Sequence, residues 1–182
     1  MSDAPSANAA VLVIDLQTGM FNGVLEPVIH DADRLTERAR AVLHWARQSG
    51  RPVAFVRHEG PAGDPLARGE PGWPVWPALG QAEGEPTFEK TVGDAFSDPS
   101  LGEWIAARGA REVILLGAQS EHCVAATTQG ALARGLAVVV VGDAHSTWPW
   151  NGETAEEIID RQNRAFADAG ARVVTTAGLT GG

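Results

Sequence analysis

The sequence predicts an α/β fold: a three-layer α/β/α arrangement around a doubly wound, parallel, Rossmann-like sheet of about six strands. Short apolar runs recur along the chain, amphipathic helical patterns separate them, and glycine follows most of the helices. Parallel neighbours need a crossover, and a helix between two strands supplies it, so this alternation points to such a sheet.

Residues 10–14, Ala-Val-Leu-Val-Ile, are uninterruptedly apolar and stop at Asp15, the pattern of a strand buried on both faces. Leu35, Ala39, Val42, Leu43 and Ala46 then share one helical face, opened by Asp31 and Asp33 and closed by Gly50. A second strand is expected at 53–56 and a short one at 87–89. A helix over 101–108 ends at Gly109, and the apolar run 113–116 follows. Residues 123–134 read as a helix closed by Gly135, 137–141 as a strand, 155–169 as a helix closed by Gly170, and 173–174 as the last strand. Two long connections carry tryptophans: 59–86 with Trp73 and Trp76, and 142–153 with Trp148 and Trp150. Ordered connections of this kind are often lids or binding loops.

One domain over 1–182 is expected, with 1–9 and 178–182 as flexible ends, because the chain has the usual length for a single core. The net charge of −9 arises without a Lys/Arg cluster, which argues against a nucleic-acid partner. No apolar run approaches the ~20 residues that cross a bilayer, so no membrane partner and a cytoplasmic location are expected. A single cysteine makes no internal disulfide, and neither metal-ligand spacing nor a nucleotide-binding glycine motif is present, so no metal and no cofactor are expected.

Cys123 is the only cysteine and Lys90 the only lysine, against thirteen arginines. An ammonium is compact and its pKa is movable, whereas guanidinium is a permanently charged fork, so the lone lysine marks a place that arginine does not serve. Asp15, Lys90 and the 117–123 turn all follow strand ends, where open α/β sheets bind their ligands. A carboxylate directly after a buried strand needs a partner, and an ammonium is one. Cys123 follows a polar turn and opens a helix, so N–H groups and the helix dipole favour its thiolate and could hold an oxyanion. An ordinary buried cysteine is the alternative.

The motifs, in order, are Val-Ile-Asp-Leu-Gln with Phe21, Arg-His-Glu at 57–59, Gly-Trp-Pro-Val-Trp-Pro at 72–77, Glu-Lys with Ala-Phe at 95–96, Gly-Ala-Gln-Ser-Glu-His-Cys-Val at 117–124 and Asp-Ala-His-Ser-Thr at 143–147. Together they resemble the isochorismatase-like cysteine hydrolases, a superfamily with nicotinamidases and N-carbamoylsarcosine amidohydrolases among its members. The resemblance implies that fold, a catalytic triad of Asp15, Lys90 and Cys123, and a cis peptide between Ala118 and Gln119 that aims an oxyanion-binding N–H near Cys123. It implies hydrolysis of a C–N bond in a small amide, lactam or carbamoyl compound through a thioester. Nicotinamidases carry an Asp-x-His metal motif with a further downstream His, which Val-Arg-His-Glu lacks here. Isochorismatases that cleave a vinyl ether lack the nucleophilic cysteine, so Cys123 favours C–N cleavage over that alternative or over a non-catalytic scaffold.

Gln17, Phe21, His58, Trp73, Trp76, Phe96, Trp148 and Trp150 are the candidates for the substrate pocket, with cationic groups attracted to the ring faces. Some of the tryptophans could instead cover a subunit interface. The expected partners are a small-molecule substrate and further copies of the chain, in a dimer or tetramer.

Overall fold

The computed structural model describes residues 5–181. Six strands form one sheet: β1 (Ala10–Ile14), β2 (Val53–His58), β3 (Thr87–Lys90), β4 (Glu112–Ala118), β5 (Ala137–Ser146) and β6 (Arg172–Val174). Their order is β3-β2-β1-β4-β5-β6, and every neighbouring pair is parallel. Strand order reverses between β1 and β4, and the carboxyl ends of those two strands flank the crevice typical of doubly wound sheets. Asp15 follows one of them and the Cys123 turn follows the other.

The unbroken apolar run of β1 has the predicted cause. Val11 and Val13 point into the core on one face, Ala10, Leu12 and Ile14 into the core on the other, and none of the five is solvent-exposed. The first face is covered by α1 (Ala32–Gln48), through Leu35, Ala39, Val42, Leu43 and Ala46. The opposite face is covered by α2 (Pro99–Ala107), α3 (Ala125–Ala133) and α4 (Ala155–Asp168), through Leu101, Ile105, Ala131 and Phe166. Thr154 caps α4 reciprocally with Glu157.

Three expectations need correction. Residues 142–146, read as the start of a loop, continue β5, pairing His145 with Gly117 and Ser146 with Ala118 beyond an irregularity in the ladder. A short helix, α5 (Thr176–Thr180), was not anticipated. The ends are also held more firmly than the sequence suggests: Ala9 is fully buried, Ser6 N–H donates to Glu112 Oε2 at 2.6 Å, and Leu179 of α5 joins the α1-side core. The remainder of those expected tails, residues 1–4 and 182, lies outside the described residues. Among the described residues no helix is long and apolar enough to cross a membrane.

Candidate active site

β1 ends at Asp15, whose backbone turns into the left-handed region at φ 51° while its N–H still donates to Val56 O. Aspartate tolerates that conformation better than most residues. Lys90 closes β3, two strands away, and its side chain is wholly buried. The ammonium Nζ stands 2.6 Å from Asp15 Oδ2 and 3.2 Å from Cys123 Sγ. The thiol and the Asp15 carboxyl, both held by that ammonium, interact electrostatically, and Asp15 Oδ1 is buried without a hydrogen-bond partner of its own. Three residues far apart in sequence thus meet at the carboxyl end of the sheet.

Cys123 sits on a π-helical turn, Ser120–Val124, between β4 and α3. The Ala118–Gln119 peptide that leads into it is cis. Gly117 just before has φ 139°, and a Cβ there would run into the carbonyl of Ile14, so only glycine lets β4 pass this close to β1. The turn is tied down from below. Asn163 Nδ2 donates to Gly142 O, so its Oδ1 accepts from His145 Nε2–H at 2.9 Å, and His145 Nδ1 accepts from Ser120 Oγ at 2.8 Å. Burial lowers the pKa of this imidazole, against the Asn163 hydrogen bond and nearby acidic groups, and keeps it neutral as that pattern requires.

Burial decides the electrostatics of the triad. It lifts the Asp15 carboxyl above its ordinary value, and Lys90 pulls it only part of the way back. Burial would lower Lys90, yet the Asp15 carboxylate and the sulfur hold its pKa above that of an ordinary lysine. The Cys123 thiol is pushed up to about 12, first by burial and then by the Asp15 charge, with Lys90 opposing. Burial and the Asp15 charge thus oppose the thiolate that a helix start would favour.

The candidate pocket residues divide. Gln17 is fully buried and structural: Nε2 donates to His58 O and Trp73 O at 2.9 Å each, and Oε1 accepts from His58 N at 2.8 Å. Its amide clamps β1 to β2 and to the Trp73 segment instead of facing a ligand. Phe96 is likewise a core residue, buried beneath the Arg134 guanidinium. Phe21 and Trp76 stack on each other at 5.0 Å against the α1-side core, with Trp76 Nε1 donating to Thr36 Oγ1, and neither lines the recess beside Lys90 or that beside Gln119.

His58 pairs in register with Lys90 and is close enough to interact electrostatically with Asp15. Trp73 lies under Arg57, 3.5 Å from the ring centroid, and Arg57 pairs with Glu89 while Arg68 bridges Glu59 and Glu89. These ion pairs bind the long connection to the end of β3, beside a recess of about 420 Å³ that reaches Lys90. Trp148 and Trp150 line another recess, of about 320 Å³, with Gln119, Glu121 and His122 of the Cys123 turn. The cavity of about 250 Å³ between α1 and α4 touches His145 but none of the triad. Among the described residues no three His, Cys, Asp or Glu side chains gather as metal ligands.

Sequence reasoning passed over Ser120, Glu121 and Asn163. Ser120 and Glu121 sit beside Cys123 in the same turn, which was the available signal; nothing local marks Asn163, a polar residue in an amphipathic helix.

Known proteins are similar to this chain in sequence and in fold. A streptothricin hydrolase of Streptomyces noursei is 36% identical over 150 residues, covering 80% of this chain and 59% of that protein. The chain thus spans about three fifths of this relative's length, and half that of a second streptothricin hydrolase. Nicotinamidase 3 of Arabidopsis thaliana is 28% identical over 181 residues, covering 92% of this chain and 85% of that one. The crystal structure of an isochorismatase from Pseudomonas putida KT2440 superposes with a TM-score of 0.89 at 28% identity, over 98% of this chain and 94% of that one. The isochorismatase domain matches residues 9–178, nearly all of the sequence, so the chain belongs to the isochorismatase family of hydrolases.

Proposed function

We propose that this hydrolase is cysteine-dependent and cleaves the C–N bond of a small amide, lactam or carbamoyl compound through a thioester. The observation that carries the reading is the buried Asp15–Lys90–Cys123 contact, with Nζ at 2.6 Å from the carboxylate and 3.2 Å from the sulfur. Relatives named for hydrolysing streptothricin and nicotinamide support it.

A thiol pushed up to about 12 needs a base, and Asp15, held by the same Lys90 ammonium, is the neighbouring carboxylate. The Asp15 carboxylate takes the thiol proton as sulfur attacks the carbonyl carbon, and the carbonyl electron pair moves onto oxygen. N–H groups near Gln119 and Cys123 receive that oxyanion. The intermediate collapses, the C–N bond breaks, and Asp15 returns the proton to the leaving nitrogen. Water then attacks the thioester, giving its proton to Asp15, and C–S cleavage restores the thiol. Lys90 stays protonated throughout, orients the carboxylate and offsets the charge passing between oxygen and sulfur. The products are a carboxylic acid and ammonia or an amine.

The test is a panel of small primary amides, lactams and carbamoyl compounds assayed for released amine. Turnover is expected in the wild type, with a loss of about 10³-fold or more in Cys123→Ser. Full activity in that variant excludes an essential Cys123 thiol and the thioester with it.

A further inference from the structure

The recess beside the Cys123 turn combines features that the hydrolytic chemistry leaves unused. Trp148, Pro149 and Trp150 form its apolar wall, and Gln119, Glu121 and His122 its other side. Trp150 is 75% exposed, and its position is fixed by the chain. Asn151 at φ 50° and Gly152 at φ 87° make a tight two-residue turn, in which Trp150 and Glu153 exchange backbone hydrogen bonds of 3.1 and 3.0 Å. Glu153 is in turn locked to Arg161 of α4 by a bidentate ion pair. Trp148 is anchored through Nε1, which donates to Pro27 O at 2.6 Å. Trp150 is thus held open to solvent by a short, ordered turn, beside a Trp148 that is half-buried against the α1-side core.

Glu121 adds charge to the wall. Its Oε1 accepts from Thr147 Oγ1 at 2.8 Å, while Oε2 is buried and lacks a hydrogen-bond partner. The nearest basic group is His122 Nε2, 3.8 Å from Oε1. Arg161 acts on it at longer range but is committed to Glu153. A carboxylate with an unsatisfied oxygen in a wall shared with two tryptophans suits an organic cation: the rings attract it through their quadrupoles and the carboxylate through its charge.

We propose that this recess is a subsite for an ammonium or guanidinium arm of the substrate, so that the enzyme prefers small amides carrying a positive charge remote from the scissile bond. The inference deepens the amide-hydrolase reading and rests on it for the word substrate; the binding itself does not depend on turnover. Gln119 belongs both to the recess and to the peptide leading into the Cys123 turn, which places the recess beside that turn.

The test uses δ-aminovaleramide and its neutral counterpart of equal length, hexanamide. Calorimetry on the Cys123→Ser variant is expected to show the cationic amide binding at least about tenfold more tightly, an advantage that shrinks as salt is raised. Adding Glu121→Gln, or separately Trp150→Ala at its exposed position, is expected to remove most of that advantage. Equal affinity for the two amides, binding of neither, or an advantage that survives both substitutions overturns the subsite. Turnover of both amides by the wild type is measured alongside. If neither is hydrolysed while the cationic one binds through Glu121, the hydrolytic reading fails for these amides and the subsite stands.

Discussion

At the scale of single residues, the proposed chemistry depends on a thiol that resists ionisation. Catalytic cysteines in electropositive surroundings commonly have lowered pKa values. Here burial and the Asp15 charge outweigh the Lys90 ammonium, and the thiol lies near 12. In the proposed mechanism its proton therefore leaves only as the carbon–sulfur bond forms. The consequence is measurable: iodoacetamide should modify Cys123 of the free enzyme more slowly than a free thiol at neutral pH, with a rate still climbing near pH 10. A rate that levels off with a midpoint below about 8 would show a resting thiolate instead. Asp15, Lys90 and Cys123 were legible in the sequence because each is a rare or costly residue placed just after a strand. Gln17 and Phe96 show a role that residue type alone does not reveal, for the same physical reason as each other. Their residue types suit a pocket, and only the tertiary packing reveals that one clamps two strands and the other fills the core.

At the scale of elements, the turn that carries Cys123 is positioned by its neighbours. Gly117 lets β4 run against the Ile14 carbonyl, and the far end of β5 pairs with Gly117 and Ala118 beyond the point where the apolar run stops. That extension was hidden in the sequence because Gly142 and Asp143 end the hydrophobic signal while the strand continues. The local cues that did appear, such as glycine after each helix and the Asn151-Gly152 turn, act within a few residues and needed no tertiary partner. Gly117→Ala combines a disfavoured φ with a collision against backbone that cannot give way. It should lower unfolding stability by about 3 kcal/mol or more in urea titration, and activity with it. A variant as stable as the wild type would show that β1 and β4 have room to separate here.

At the scale of the whole molecule, the strand order brings the site together. Reversal between β1 and β4 opens a crevice at their carboxyl ends, and β3, two places along, adds its last residue, Lys90. Alternation of strand and helix announced the parallel sheet, but the strand order and the depth of the ion pair appear only in three dimensions. Removing one member of so buried a pair leaves the other charge uncompensated, at a cost of about 3–5 kcal/mol. Lys90→Met should pay that cost near neutral pH through the stranded Asp15 carboxylate. Burial already raises the Asp15 pKa, and losing Lys90 raises it further. A raised folded-state pKa means stability is fullest below the unfolded value and lost as pH rises through the folded one. The deficit of Lys90→Met against wild type, followed by urea unfolding, should therefore shrink as the pH is lowered from neutral toward acid. A deficit that grows toward acid would mean that Asp15 is not the group left stranded.

The account turns on a covalent bond between substrate carbon and Cys123 sulfur. Rapid acid quenching during turnover of a reactive amide, followed by intact-mass and peptide mass spectrometry, looks for that bond directly. The prediction is an adduct of the acyl group's mass on the peptide containing Cys123, absent in Cys123→Ser and accumulating when the deacylating water is replaced by a poor nucleophile. Turnover with Cys123 never modified, or with the acyl group on another residue, would contradict it.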